Sequence, residues 1–357
     1  MTPKRVKRLA ISVFDLAILL IAFAATQLNA NPNHLVALEG AIQEIYEQNK
    51  DAIVRVKVAT ETKDETGQAQ TSLVVFSGFF ISKEGRVLTN AIPEDKTTRI
   101  WIEKDGLSYL SDLVGNDERT NISLLQAINL PKNFEHIELP AQQSKSTIGS
   151  FAFAITSPLD FAPSPTFGLV TGYESHFANI VFPFTYTRVS IPIGPAEGGS
   201  PVFNAKGDLL GISMASMPEV RSSYIIPHQA LIRIVRDLTH EGEVQYGVIP
   251  LEFEERSDRF NLSRRIRIKT IVPGSPAARA GLRSGDHLKT IDGEAVTSIN
   301  QVRDILFFKD PENFLLFEVE RENKKLEFAI LLEPQADHLP AEGITETEEK
   351  PSDESQS

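Results

Sequence analysis

The spacing of the hydrophobic residues changes once near residue 50. From Leu35 to Gln48 apolar residues recur every three or four positions, which predicts an amphipathic helix that packs on a larger body. The next segment, IVRVKV at 53–58, alternates strictly between apolar and polar residues, which is typical of a half-buried β-strand. The chain therefore passes from a helical pattern to an extended one.

Short apolar runs of β type continue as far as residue 227 and are separated by turn sequences such as KEG and KDG. The runs occupy residues 72–82, 86–90, 98–103, 122–126, 151–156, 168–173, 185–193, 201–204, 208–213 and 222–227. Strands this short and this evenly spaced predict an all-β sandwich or a pair of barrels, because a βαβ fold would place helices between them. A helical run at 230–240 closes this first unit.

A second unit extends from about residue 243 to residue 334 and mixes the two patterns. Its extended runs lie at 245–253, 265–272, 287–293, 314–320 and 326–332, and a helical run lies at 298–308. Within PGSPAARAGLRSGD, Ser275 can cap a short helix and Gly281 can end it. We therefore predict a small α+β domain after the β-rich unit.

The amino terminus has the layout of a secretory signal. MTPKRVKR carries four positive charges, an apolar run follows, and small or polar residues precede Asn31. Residues 1–30 are interpreted as a signal peptide cleaved near Ala30, with an uncleaved anchor as the alternative, although the uninterrupted apolar part is shorter than the roughly 20 residues that span a membrane. Both interpretations place the body of the protein outside the cytoplasm, in a periplasm or another extracytoplasmic space. Membrane contact is expected only through this segment if it is uncleaved.

Charge and composition exclude several classes of function. The formal net charge is −12, and residues 335–357 alone hold seven acidic residues and one lysine. This predicts an acidic, disordered tail and argues against nucleic-acid binding. The chain has no cysteine, which excludes disulfides, thiol catalysis and C-x-x-C zinc sites. No metal, nucleotide or organic cofactor is indicated.

The segment AEGGSP at 196–201 is a candidate for hydrolytic chemistry. It is a glycine-rich bend between two strand-like runs, where a hydrolase could hold a nucleophile, and Ser200 is its hydroxyl. The alternative is that Ser200 is a turn residue bonded to its own backbone.

The run PGSPAARAGLRSGDHLKTIDGEAV at 273–296 resembles the PDZ domains of HtrA/DegP-type periplasmic serine proteases. The resemblance implies that a peptide carboxyl terminus is added as a strand, with backbone N–H groups of a glycine-containing loop around the carboxylate. QYGVI at 245–249 falls at that loop in an altered order, and the helix at 298–308 would form the other wall, with plain core packing as the alternative for its apolar residues. The expected peptide-binding residues are Tyr246, Gly247, Val248, Ile249, Val302 and Ile305.

The first unit is similar to the trypsin-like double β-barrel of the same family. FSGFFISKEGRVLTN, GNDERTNISLLQ and IGPAEGGSPVFNAKGDLLGI resemble the segments around its catalytic histidine, aspartate and serine, and SYIIPHQAL resembles its substrate-pocket strand and final helix. The expected architecture is mostly β. It consists of a signal at 1–30, a trypsin-like domain at 31–240, a PDZ domain at 243–334 and an acidic tail at 335–357.

In this register all three positions of a Ser-His-Asp triad hold other residues. The histidine position after T-N-A is Ile92, the aspartate position in RTNISLL is Asn121, and the serine position, counted back from the following proline, is Gly198. Ser200 stands two residues later, and two residues along an extended chain move a side chain by roughly 6–7 Å. Because losing the nucleophile or the base alone removes about six orders of magnitude in rate, we expect no hydrolysis and keep Ser200 as the fallback nucleophile.

These expectations describe an exported pseudoprotease of the HtrA type that binds peptides or unfolded protein termini as an adaptor, a chaperone-like holder or a regulator. Two alternatives stay open: an active serine endopeptidase with a displaced nucleophile at Ser200, and a structural envelope protein whose groove is vestigial. The resemblance also implies homotrimers built through the protease barrels, or a mixed assembly with an active relative.

Overall fold

A computed structural model describes residues 32–63, 68–93, 97–139, 146–177, 180–217, 222–257 and 264–335. The expected signal at 1–30 and the acidic tail after Gln335 lie outside these described residues. In the described ranges no helix combines the length and the apolar character that a membrane span requires.

An amino-terminal helix and a closed barrel form the first part of the molecule. Helix α1 (Pro32–Asn49) leads through a short 3-10 turn (Lys50–Ala52) into the barrel, whose strands are β1 (Ile53–Lys63), β2 (Ala69–Phe80), β3 (Arg86–Asn90), β4 (Thr97–Lys104), β5 (Leu107–Asp117) and β6 (Ile122–Ala127). Around the barrel they follow the order β1-β2-β3-β6-β5-β4. Alternate residues of β1, Val54, Val56 and Val58, fill the interior, as the strict alternation predicts.

A second closed barrel follows, with strand order β10-β11-β12-β9-β8-β7. Its strands are β7 (Phe151–Thr156), β8 (Ser164–Phe177), β9 (Ile180–Val189), β10 (Pro201–Phe203), β11 (Leu209–Met217) and β12 (Ser222–Pro227). Strand β9 begins and ends earlier than the predicted run at 185–193, because the chain leaves the barrel after Val189 and enters the loop that contains AEGGSP.

The two barrels share one core between their facing outer surfaces. Aromatic side chains from both barrels, among them Phe79, Phe153 and Tyr186, are buried together in it. Helix α2 (His228–His240) covers this core with Leu231 and Ile234, which are fully buried. The loops that carry the candidate catalytic positions therefore meet where two rigid barrels are held against each other.

The second domain is a small sheet with two helices. Its elements are β13 (Gly247–Val248), β14 (Leu251–Ser257), β15 (Arg264–Ile271), α3 (Pro276–Ala280), β16 (His287–Ile291), β17 (Glu294–Ala295), α4 (Ile299–Phe307), β18 (Phe314–Arg321), β19 (Lys324–Leu331) and β20 (Glu333–Pro334). The main sheet runs β14-β15-β16-β18-β19, and β13 pairs with β20. Ser275 caps α3 by accepting the Ala278 N–H, and Gly281 ends it at φ +98°, as the sequence predicts.

Candidate functional site

The position expected for a catalytic histidine lies inside the first barrel. Ile92 has 0% exposure and belongs to the apolar cluster that fills this barrel. Its backbone N–H donates to Asn116 Oδ1 at 3.1 Å and to Ser123 Oγ at 3.0 Å, which fixes the backbone at this point. A fully buried aliphatic side chain cannot accept a proton, so no general base stands here.

The position expected for the aspartate is held by a neutral amide. Asn121 has φ +60°, a left-handed conformation that asparagine tolerates well, and its carbonyl accepts the Ala91 N–H at 3.0 Å. Its side-chain Nδ2 donates to the carbonyl of Met214 at 3.3 Å, and Asn90 Nδ2 donates to the same carbonyl at 3.1 Å. Two carboxamides therefore converge on one backbone oxygen at the position expected for the aspartate.

A side chain at the position expected for the nucleophile would collide with a neighbouring amide. A Cβ on Gly198 would lie 2.4 Å from Asn90 Nδ2, and the Gly198 carbonyl accepts the Ser77 N–H at 3.0 Å. A serine at residue 198 would therefore displace the Asn90 amide from its bond to Met214.

The turn before Gly198 carries a negative charge. The Glu197 N–H donates to the Gly194 carbonyl at 3.2 Å, and Ala196 adopts φ +66°, a conformation that costs an L-residue about 1–2 kcal/mol. The Glu197 carboxylate accepts the Gly194 N–H through Oε2 and the Thr156 hydroxyl through Oε1 at 2.9 Å. Proteases stabilise a developing oxyanion at such a turn, and a carboxylate beside it opposes this stabilisation.

The fallback nucleophile Ser200 has a structural role. Its side chain has 0% exposure, and its hydroxyl donates to the carbonyl of Glu197 at 2.7 Å. Its backbone N–H donates to Ser213 Oγ at 2.9 Å. This is the turn-type backbone bond given above as the alternative for Ser200.

Histidines of the described residues do not complete a triad with Ser200. His228 begins α2 and is 2% exposed, and burial lowers the pKa of its imidazole. Within the described residues, one hydrogen bond joins a serine side chain to a histidine side chain. It links the sequence neighbours Ser175 and His176 on β8, at 3.4 Å. Neighbours on a strand point to opposite faces, which is not the geometry of a nucleophile and its base.

Two backbone donors are missing directly after the loop expected to hold a peptide carboxylate. Pro250 follows Ile249, and the Leu251 N–H is already bonded to the Ile249 carbonyl at 2.7 Å. Proline has no N–H. Val248 lies opposite Glu333 in the β13–β20 pair, and a Cβ on Gly247 would meet Leu332 Cδ2 at 2.3 Å. Gly247 therefore allows close packing of the domain's own chain.

The apolar residues of α4 lie in the core of the second domain instead of lining an open groove. Val302 is 0% exposed and Ile305 is 9% exposed, and both pack in the same cluster as Ile249. The carboxylate of Glu255 on β14 accepts the Ile299 N–H at 2.7 Å, which ties the start of α4 to the strand opposite. A peptide contact by Val302 and Ile305 stays a prediction.

Tyr246 anchors the second domain on the first barrel. Its hydroxyl donates to Asp117 Oδ2 at 2.8 Å, and the Arg119 guanidinium carbon lies 3.8 Å from the centre of its ring. Burial, and then the charge of Asp117, raises the pKa of the Tyr246 phenol well above its ordinary value. Asp117 Oδ2 also accepts the Thr120 N–H at 2.8 Å, so the loop that contains Asn121 is tied to the second domain.

Helix α4 docks on the second barrel through contacts that the sequence pattern did not indicate. Asp304 accepts the Thr185 N–H at 2.6 Å and the Thr185 hydroxyl at 2.8 Å. The rings of Phe307 and Phe184 have centroids 4.2 Å apart, and Arg233 of α2 donates to the Phe307 carbonyl. An aspartate and a phenylalanine on an amphipathic helix give no signal of an interdomain contact before the fold is known.

In the part of the chain that the structure describes, no group of three or more histidine and carboxylate side chains is arranged to hold a metal ion.

Family models match two separate segments of the chain. A trypsin-like peptidase domain matches residues 76–212, and a PDZ domain matches residues 267–316. The mostly β fold class with these two domains is thus confirmed.

Curated relatives are similar over most of the chain. The periplasmic pH-dependent serine endoprotease DegQ of Escherichia coli is 27% identical over 269 residues, which is 72% of this chain and 59% of that protein. A probable periplasmic serine endoprotease DegP-like of a Marinomonas species is 32% identical over 274 residues, again 72% of this chain and 56% of that protein. The chain therefore spans little more than half the length of these relatives.

Solved structures agree on the fold. The HtrA-type protease AlgW with tripeptide superposes with a TM-score of 0.68 at 20% identity, covering 85% of this chain and 99% of that chain. AlgW with decapeptide gives a TM-score of 0.66 at 19% identity, covering 83% and 99%. The chain thus combines a trypsin-like peptidase fold with a PDZ domain, and its similarity over both supports a relationship to the HtrA family.

Proposed function

We propose that this chain is an exported, non-hydrolytic relative of HtrA-type proteases that binds polypeptide segments. The observation that carries the proposal is the trio Ile92, Asn121 and Gly198 at the three triad positions, with Ile92 sealed inside a barrel and Gly198 closed off by Asn90. None of the three side chains can attack a carbonyl or carry a proton. Relatives named as periplasmic support a periplasmic location.

Peptide binding is proposed at the edge of the second domain's sheet. Strand β14 pairs with β15 along one edge, and among the described residues no strand pairs with its other edge. An unpaired edge can accept an extended segment as an added strand, with backbone hydrogen bonds supplying the affinity. Because Pro250 removes a donor from the preceding loop, we expect little preference for a free terminal carboxylate.

Two assays test the proposal. Unfolded casein incubated with the full chain should stay intact, and Ser200→Ala should behave as wild type. Cleavage that disappears in Ser200→Ala would instead establish the alternative of an active endopeptidase. Extended peptides with a free carboxyl terminus and their terminal amides should bind the full chain within about tenfold of each other, since a captured carboxylate adds roughly 1.5–3 kcal/mol.

A structural role without peptide binding is the second candidate. The complete burial of Val302 and the bond between Glu255 of β14 and the start of α4 favour it, because both serve the packing of the domain itself. Failure of every peptide in a library to bind the full chain would support this candidate and remove the first.

The proposed assembly is a homotrimer built through the barrels, or a mixed oligomer with an active relative. Light scattering on the purified chain, alone and mixed with such a relative, distinguishes these states from a monomer. If this chain has the mass of a monomer in both samples, the two assemblies are excluded.

A further inference from the structure

A cavity of about 400 Å³ lies away from the triad positions, on the side of the first barrel that faces α1. The end of α1, the turn between β4 and β5, and the loop at 157–163 that follows β7 surround it. Small-molecule sites in proteins occupy roughly 300–1,000 Å³, so the cavity can hold a compact ligand.

The walls of this cavity are held in place by specific hydrogen bonds. Arg55 of β1 donates to the Phe161 carbonyl at 2.8 Å, and the Tyr46 hydroxyl of α1 donates to the Pro163 carbonyl at 2.9 Å. Both contacts pin the loop at 157–163 over the barrel.

A lysine with a buried side chain forms two long ion pairs at the cavity. The side chain of Lys104 is 4% exposed, and lysine is rarely buried unless it is paired. Its closest carboxylate oxygens are Asp51 Oδ1 at 3.7 Å and Asp105 Oδ2 at 3.9 Å, both beyond hydrogen-bond distance. No described residue accepts a hydrogen bond from its Nζ, so its three N–H donors are available to a ligand.

The charges around the cavity match a ligand with both signs. Three basic and four acidic side chains line it: Lys50, Arg55 and Lys104, and Asp51, Glu103, Asp105 and Asp160. Glu103 is already shared between Arg55 and Lys57, whereas the other carboxylates stand at the rim with side-chain exposures of 57%, 76% and 94%. The carboxylates at the rim outnumber the basic groups and repel a simple anion. The buried Lys104 repels a simple cation.

We propose that this cavity binds a small zwitterion, a free amino acid or a dipeptide. The carboxylate of the ligand accepts hydrogen bonds from Lys104 Nζ, and its ammonium group lies against the rim carboxylates Asp51 and Asp105. This site is independent of the triad positions and of the PDZ domain.

The experiment is isothermal titration of the full chain with alanyl-alanine and two capped forms. N-acetyl-alanyl-alanine keeps only the negative charge, and alanyl-alanine amide keeps only the positive one. We expect the dipeptide to bind and each capped form to bind at least about tenfold more weakly, since each loses a charge-assisted contact. Lys104→Met should weaken dipeptide binding at least about tenfold, and Lys206→Met, at an exposed turn, should leave it unchanged.

Equal binding of the dipeptide and either capped form overturns the zwitterion assignment. Absence of dipeptide binding, or equal binding by wild type and Lys104→Met, overturns the site. If Lys104→Met does not fold, the comparison of the three ligands on the wild-type chain still decides between these results.

Discussion

Restoring the missing histidine by Ile92→His should destabilise the protein without producing a protease. The side chain of Ile92 has no exposed surface, and burial of an isoleucine contributes about 1.5–3 kcal/mol. An imidazole in the same apolar cluster adds an unsatisfied polar group, at about 1–3 kcal/mol. Part of the apolar contact is retained by the ring, so we expect a total loss of about 2–5 kcal/mol in the free energy of unfolding.

Chemical and thermal unfolding followed by circular dichroism measure this loss. For a domain of this size, about 2–4 °C per kcal/mol predicts a fall in Tm of roughly 4–20 °C. The control Ile92→Val removes one methylene and should lose only about 0.5–1.5 kcal/mol. The histidine variant should also leave casein intact, because Asn121 and Gly198 supply neither an orienting anion nor a nucleophile. A variant as stable as wild type would contradict the burial of residue 92 in the apolar core. A variant that cleaves casein would show that residue 92 faces a working catalytic cleft.

Three further predictions concern other parts of the molecule. Gly198→Ser should lower the free energy of unfolding by about 1–3 kcal/mol, because its Cβ would displace Asn90, and thermal unfolding with no loss of stability would contradict the close approach. Asp304→Ala should cost about 1–3 kcal/mol and accelerate amide exchange at Thr185, since two hydrogen bonds to a carboxylate are lost; unchanged exchange would argue against docking of α4 on the barrel. Burial lowers the pKa of His228, so the unfolded chain binds a proton more readily, and stability should fall as pH decreases below about 6.5. His228→Gln should reduce this dependence of Tm on pH, and an unchanged slope would exclude the residue as its source.

Much of the fold can be predicted from the sequence because the strands alternate regularly and turn residues separate them. Strand β5 was missed because Leu107 and Leu110 lie on its exposed side, so its apolar pattern does not mark a buried face. The short helix α3 was predicted correctly, since its cap and its terminal glycine are local signals. Features that depend only on neighbouring residues in the chain can thus be predicted from the sequence.

The candidate site was predictable only in part. The register of the three triad positions depends on short sequence patterns, but the closure of Gly198 by Asn90 depends on residues far apart in the chain. Tyr246 was expected to contact a peptide, and its bond to Asp117 in the first barrel links residues 129 positions apart. Such contacts depend on how two domains pack against each other, and the local sequence pattern does not predict that packing.

The absence of a reactive serine is the central claim, and covalent labelling tests it most directly. The purified chain is incubated with a serine-directed fluorophosphonate probe and its intact mass is measured, with an active HtrA-type relative treated in parallel. The account predicts that the relative gains the mass of one probe and this chain gains none, because the Ser200 hydroxyl is buried and bonded to Glu197. One adduct per chain, mapped to Ser200 or to another serine, would contradict it.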